Sequence, residues 1–163
     1  MVGKKLETNI RLAKQTDIND MFEIIDYYAN DGIMLPRSKN ILSHQIGDFS
    51  VVELDGKVIA CGSLCKLGDD LVEVRSFGVL PIHKGKGIGK QLLEFIIHEA
   101  KSRKIPKLMA LTYEVDFFIK NGFEEVAKEI FPEKVWKDCI YCKKQNCCDE
   151  IAVLKRLDLL DNT

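Results

Sequence analysis

Between Val79 and Lys90 the chain reads VLPIHKGKGIGK, with glycines at 85, 87 and 89 set among Lys84, Lys86 and Lys90. Glycines without Cβ atoms let successive backbone N–H groups turn toward one point. The apolar positions that follow, Ile88, Leu92, Leu93, Ile96, Ile97 and Ala100, repeat with helical spacing and predict an amphipathic helix. The N-terminus of that helix adds partial positive charge, and the lysines add full charges, so the segment suits a pyrophosphate. The plainer reading is a glycine-rich turn with solvated lysines. Two other phosphate loops fit poorly. A P-loop needs four residues between its glycines and a following Lys-Ser/Thr, which is absent. A dinucleotide fingerprint opens an N-terminal βαβ unit, whereas this loop lies mid-chain after an antiparallel run.

A second group of chemically capable residues precedes the loop. Leu71–Val79 reads as a strand, and period-two alternation puts Glu73, Arg75, Phe77 and Val79 on one face. A carboxylate there can take a proton from an amine, directly or through a water. Glu73 can equally pair with Arg75 as a structural ion pair, and a neighbouring cation lowers a carboxylate pKa. Cationic candidates for an anionic substrate are Arg37, Arg75 and Lys134, each of which could instead be a solvated or paired surface charge. Cys139, Cys142, Cys147 and Cys148 are four thiols that could suit tetrahedral zinc. Adjacent Cys147 and Cys148 would point to opposite sides if extended, so reduced thiols are the better reading and no metal is expected in catalysis. Cys61 and Cys65 fall in a strand pattern and read as core; His83 and His98 stand singly, as surface or loop residues.

These residues need a scaffold. Asn9–Lys14 alternates as a first strand, and Asp17 is placed to cap a helix carrying Ile18, Met21, Phe22, Ile24 and Ile25. Pro36 makes Gly32–Lys39 a loop, and a short helix is expected over Asn40–Ile46. Phe49–Leu54 and Lys57–Leu67 read as strands joined by Asp55-Gly56, a tight hairpin dipeptide. After the long helix come a strand over Lys107–Thr112, a short helix over Val115–Lys120 closed by Asn121-Gly122, and strands over Phe123–Ala127 and Ile151–Leu157. The order β-α-α-β-β-β-α-β-α-β-β predicts an α/β (α+β) fold, a mixed central sheet of six to seven strands flanked by about four helices.

Composition sets outer limits. The 163 residues fit a single domain over 1–163, with 46% hydrophobic and 30% charged residues, an ordinary globular balance. A net charge of −1 gives no basic field for nucleic acid or an anionic membrane. No apolar signal region and no membrane-length apolar run occurs, so a cytoplasmic location is expected, with the six cysteines as thiols.

At Lys84, Gly87 and Gly89 the chain resembles the GNAT superfamily of acetyl-CoA-dependent N-acetyltransferases, whose motif is Arg/Gln-x-x-Gly-x-Gly/Ala, with Lys84 in place of Arg or Gln. The element order is also the GNAT order. The resemblance implies that Phe77, Gly78 and Val79 bond the pantetheine arm of acetyl-CoA. It further implies that Lys84, Gly85, Lys86, Gly87, Ile88, Gly89 and Lys90 hold the pyrophosphate. Further stretches, Leu35-Pro-Arg-Ser38, Glu73-Val-Arg-Ser76, Leu111-Thr-Tyr-Glu-Val-Asp-Phe-Phe118 and Pro132-Glu-Lys-Val-Trp-Lys-Asp138, resemble the acetyltransferase domain of N-acetylglutamate synthases, in particular the short forms lacking an amino-acid-kinase domain. That narrower resemblance implies L-glutamate as acceptor, the first step of arginine biosynthesis. Glu73 is then the base and Arg37 a substrate-carboxylate arginine. Many GNATs carry a tyrosine where Phe118 stands. Thr112, beside Tyr113, matches the hydroxyl that the glutamate branch uses near the thiolate. Direct transfer in a ternary complex follows, with a β-strand amide, expected at Val79, meeting the oxyanion.

Other readings keep the fold and change the acceptor: glutamine or another amino acid, a small amine, a protein N-terminus. A polyamine would favour an acidic cleft, against the cations above. A non-catalytic acetyl-CoA-binding module has the missing tyrosine in its favour and Glu73 against it. The superfamily often forms homodimers through its C-terminal strands.

Overall fold

In the computed structural model, the structure describes residues 7–130 and 150–158. Seven strands form one mixed sheet in the order β1-β2-β3-β4-β5-β7-β6. They are β1 (Thr8–Leu12), β2 (Phe49–Leu54), β3 (Lys57–Lys66), β4 (Leu71–Val79), β5 (Lys107–Thr112), β6 (Glu124–Val126) and β7 (Ile151–Arg156). The helices are α1 (Ile18–Asn30), α2 (Lys39–His44), α3 (Ile88–Ser102) and α4 (Val115–Lys120). The element order read from hydrophobic periodicity is the order observed, with ends moved by one or two residues. The chain divides into two compact units, one of Met1–Ser63 with Ser76–Ile97, the other of Leu64–Arg75 with His98–Thr163.

In the first unit, β2 runs antiparallel to both β1 and β3. The β2–β3 hairpin turns on Asp55 and Gly56, with φ of 50° and 82°, the paired positive values that a two-residue turn of primed type requires. Met21, Ile24, Ile25 and Tyr28 of α1 and Leu42 of α2 pack with Phe49, Val51 and Cys61 into one core cluster. Asp17 does not cap α1 with its side chain, contrary to the sequence expectation. Its carboxylate instead accepts both guanidinium arms of Arg11, at 2.7 and 3.0 Å, and the Lys14 N–H at 2.7 Å. Arg11 Nε also donates to Glu53 of β2 at 3.0 Å. A bidentate cation was a stronger partner for a buried carboxylate than an exposed helix-end amide. The arrangement fixes the entry into α1, and Asp20 of that helix accepts the Val58 N–H of β3 at 3.1 Å.

In the second unit, β5 and β7 pair antiparallel along their full lengths, and β6 adds to β7. Leu67, Leu71, Met109, Ala152 and Leu154 form its core cluster. Helix α4 ends at Gly122, whose φ of 94° is the left-handed conformation that glycine adopts without a Cβ penalty. Asn121 Nδ2 donates back to the Phe117 carbonyl at 2.7 Å and ties off the helix.

Candidate active site

The loop after β4 forms the cradle in steps. Pro81–His83 makes one 3-10 turn, and α3 begins at Ile88. Gly85 and Gly87 both have φ of 79°, while a Cβ at either would meet no atom within 4 Å. Backbone conformation, and not crowding, is what requires glycine at these two positions. Gly89 is the second residue of α3, within the helix whose apolar spacing starts at Ile88. The first helical bond runs from the Gln91 N–H to the Gly87 carbonyl at 3.1 Å, so the amides of Ile88, Gly89 and Lys90 stand outside the helical ladder. Lys84, Lys86 and Lys90 are exposed around them. Donors, dipole and cations thus converge on one short solvent-facing arc, which suits an anion of two phosphates.

The end of β4 is shaped by residues far away in sequence. A Cβ on Gly78 would meet the Tyr28 ring at 3.0 and 3.1 Å and Met34 Cε at 3.3 Å, so only glycine lets α1 and the following loop lie this close. Gly62 plays the same part for Phe77, whose ring and Ile96 Cδ1 would each lie 2.8 Å from a Cβ there. Ser76 has φ of 50°, a left-handed conformation that costs an L-residue roughly 1–2 kcal/mol. The regular extended backbone that the expected alternation from Glu73 through Val79 needs is therefore interrupted at Ser76. The Cys61 thiol donates to the Ser76 carbonyl at 3.5 Å, and full burial pushes that thiol up to about 12.

In the second unit, the parallel ladder between β4 and β5 runs from Leu71↔Lys107 to Glu73↔Met109 and ends there, although both strands continue. Glu73 is 7% exposed, and Arg75 Nε donates to its Oε1 at 2.5 Å. The ion pair anticipated from the sequence is present. Thr112 closes β5; it is buried, and its Oγ1 accepts the Glu114 N–H at 2.7 Å. With one lone pair so used, the hydroxyl hydrogen is the polar function it can direct elsewhere. Tyr113 is 37% exposed beside it. Phe118 is buried edge-on between Phe117 and Phe123, centroids 5.3 and 5.1 Å away, so an aromatic cluster occupies the position where a phenol was expected to be missing.

Arg37 is half-buried in the first unit, in a loop held at both ends. The Ile33 N–H donates to the Tyr28 carbonyl at 3.0 Å, and Ser38 Oγ caps α2 by accepting the Ile41 N–H at 3.1 Å. Lys134, Cys139, Cys142, Cys147 and Cys148 lie outside the described residues. Among the described residues no group of three His, Cys, Asp or Glu side chains is placed to hold a metal, and no helix is long and apolar enough to cross a membrane. Sequence reasoning overlooked Tyr28, Gly62 and Cys61 as parts of the site, since each acts on β4 through a tertiary contact that leaves no local pattern.

Residues 45–125, which include β4 and the glycine loop, match the model of the acetyltransferase (GNAT) domain. An uncharacterised N-acetyltransferase of Chlorobaculum tepidum is 39% identical over 93% of this chain and 97% of its own length. An amino-acid acetyltransferase of Mycobacterium tuberculosis is 33% identical over 76% of this chain and 75% of its own length. The chain belongs to the GNAT acetyltransferases. It is accordingly an acyltransferase, and its seven-stranded sheet is the GNAT fold. The N-acetylglutamate synthase of Neisseria gonorrhoeae, solved with coenzyme A and N-acetyl-glutamate, superposes with a TM-score of 0.83 at 30% identity, over 96% of this chain and 36% of that one. A Mycobacterium tuberculosis protein solved in complex with CoA gives 0.80 at 29% identity, over 92% of this chain and 99% of that one. This GNAT chain thus spans nearly the whole of some relatives and about a third of others.

Proposed function

We propose that the chain transfers the acetyl group of acetyl-CoA to the α-amino group of L-glutamate, as an N-acetylglutamate synthase of the arginine pathway. The observation that carries the reading is Glu73, a buried carboxylate at the residue where the β4–β5 ladder ends. A carboxylate out of bulk water, at the last paired residue of its ladder, can deprotonate an acceptor amine. Likeness to a synthase solved with N-acetyl-glutamate supports the acceptor, and neighbours solved with CoA support the donor.

The roles follow from the chemistry of each group. The amides of Ile88, Gly89 and Lys90, with the side chains of Lys84, Lys86 and Lys90, hold the pyrophosphate, and the backbone of Phe77 and Gly78 takes the pantetheine amides. Glu73 accepts the ammonium proton, directly or through a water, leaving the nitrogen lone pair free to attack the thioester carbon. The Val79 N–H meets the carbonyl oxygen as it gains charge. Thr112 hydrogen-bonds the departing sulfur through its hydroxyl, and the proton shed by the nitrogen as the tetrahedral intermediate collapses ends on the CoA thiolate. Arg37 binds one glutamate carboxylate, and Arg75, holding Glu73, supplies the second cationic partner. The amine attacks directly, so no residue is acylated.

Initial rates measured against both substrates test this account. Intersecting double-reciprocal lines, with N-acetylglutamate identified by mass spectrometry, are expected. Parallel lines or an acetylated enzyme would contradict direct transfer.

A further inference from the structure

We propose that Tyr28 of α1 is the positioning residue of the CoA-binding strand, clamping the tip of β4 and presetting Lys84 of the glycine loop. The proposal rests on the acetyl-CoA reading above and assigns a residue that the reading does not use. The Tyr28 hydroxyl donates to the Val79 carbonyl at 2.5 Å, across 51 residues of sequence. At the other end of the same peptide unit, the Leu80 N–H donates to the Ile59 carbonyl at 2.8 Å. Both polar groups of the Val79–Leu80 peptide are thereby satisfied by the protein, and the plane cannot rotate without breaking a buried hydrogen bond. That plane is the joint between the strand proposed to bind pantetheine and the loop proposed to bind pyrophosphate.

The ring acts on both neighbours of the joint. Its edge lies against Gly78, where a Cβ would come within 3.0 Å. Its face lies 5.4 Å from Lys84 Nζ, a cation–π distance. Lys84 stands where related motifs carry Arg or Gln, and a flexible lysine loses much rotamer freedom on meeting a phosphate. Held over the ring beforehand, it loses less. Tyr27 meets Tyr28 edge-on with centroids 5.1 Å apart, which fixes the ring in turn. The Tyr28 carbonyl accepts the Ile33 N–H at 3.0 Å, at the start of the loop carrying Arg37.

Tyr28→Phe removes the hydroxyl and keeps the ring, so it separates positioning from packing. In the ligand-free protein, exchange of the Leu80 amide should quicken about three- to tenfold, the range spanned by one neutral hydrogen bond. By calorimetry the Kd for CoA should rise by a similar factor, together with the acetyl-CoA KM, while the glutamate KM stays within about twofold. Tyr28→Leu, which also releases Lys84, should weaken CoA further; if that variant does not fold, the Phe variant decides alone. Unaltered CoA affinity in Tyr28→Phe would overturn the proposal and leave the acetyl-CoA reading intact. Equal rises in both KM values with a lowered Tm would also overturn it, as the mark of general loosening. If the parent protein bound no CoA, the acetyl-CoA reading would fall and this proposal with it, whatever the exchange of Leu80 showed.

Discussion

Arg75 Nε lies 2.5 Å from Glu73 Oε1, two residues along β4, and both side chains are largely withdrawn from solvent at 17% and 10% exposure. A largely buried carboxylate that accepts from a guanidinium Nε has one of its oxygens tied to a neighbour on the same strand. The pair therefore does two things at once. It gives one carboxylate oxygen a charged partner within the protein, and it ties the carboxylate to a neighbour on its own strand.

Replacing Glu73 by Gln keeps the shape and removes the base. Steady-state turnover should fall roughly 10²- to 10⁴-fold, the usual contribution of a positioned general base. The acetyl-CoA KM should remain within about twofold, because the carboxylate takes no part in pyrophosphate or pantetheine binding. A rate unchanged at neutral pH would remove Glu73 from the mechanism.

Arg37→Ala separates acceptor from donor. Loss of one charge-assisted contact to a substrate carboxylate should raise the glutamate KM roughly ten- to a hundredfold. Equal changes in both KM values, read from a two-substrate rate matrix, would show that Arg37 supports its loop and not the substrate.

Gly78→Ala tests the close approach of α1 to β4. The Tyr28 ring at 3.0 Å cannot retreat without giving up its bond to Val79, so overpacking should cost about 1–3 kcal/mol in denaturant unfolding. Gly85→Ala is the contrast: no atom lies within 4 Å of its Cβ, and only the φ of 79° resists, at about 1–2 kcal/mol.

Acid stability should depend on Asp17. Hydrogen bonds from Arg11 hold its carboxylate below the ordinary value of 3.8. The stabilisation is complete above that unfolded-state value and is lost as pH falls below it through the depressed folded value. Asp17→Asn should cost about 1–3 kcal/mol at neutral pH and flatten the acid limb of a stability-versus-pH curve. A parallel acid limb in both proteins would show that another carboxylate controls it.

Local chemistry made much of this fold legible. Asp55-Gly56 announced its hairpin, Asn121-Gly122 its helix end, and the lysine–glycine run its turn into α3, because each signal lies within a few residues of its effect. Period-two reading also paired Glu73 with Arg75. It failed one residue later, since the left-handed φ of Ser76 is held by tertiary surroundings that include a thiol on β3. Asp17 looked like a cap because its neighbours are helical; its true partner, Arg11, sits on a strand. Tyr28 was invisible as part of the site, for its hydroxyl acts on Val79 at a sequence separation of 51. What sequence reading lacked was long-range contact, which no spacing rule encodes.

The acceptor claim has one direct test. Purified protein with acetyl-CoA is offered glutamate, glutamine, other amino acids, a polyamine and an N-terminal peptide, while thiol release is followed and products are identified. The account predicts the highest kcat/KM for L-glutamate, with N-acetylglutamate formed one-for-one with free CoA. Turnover of another amine with none for glutamate would contradict it.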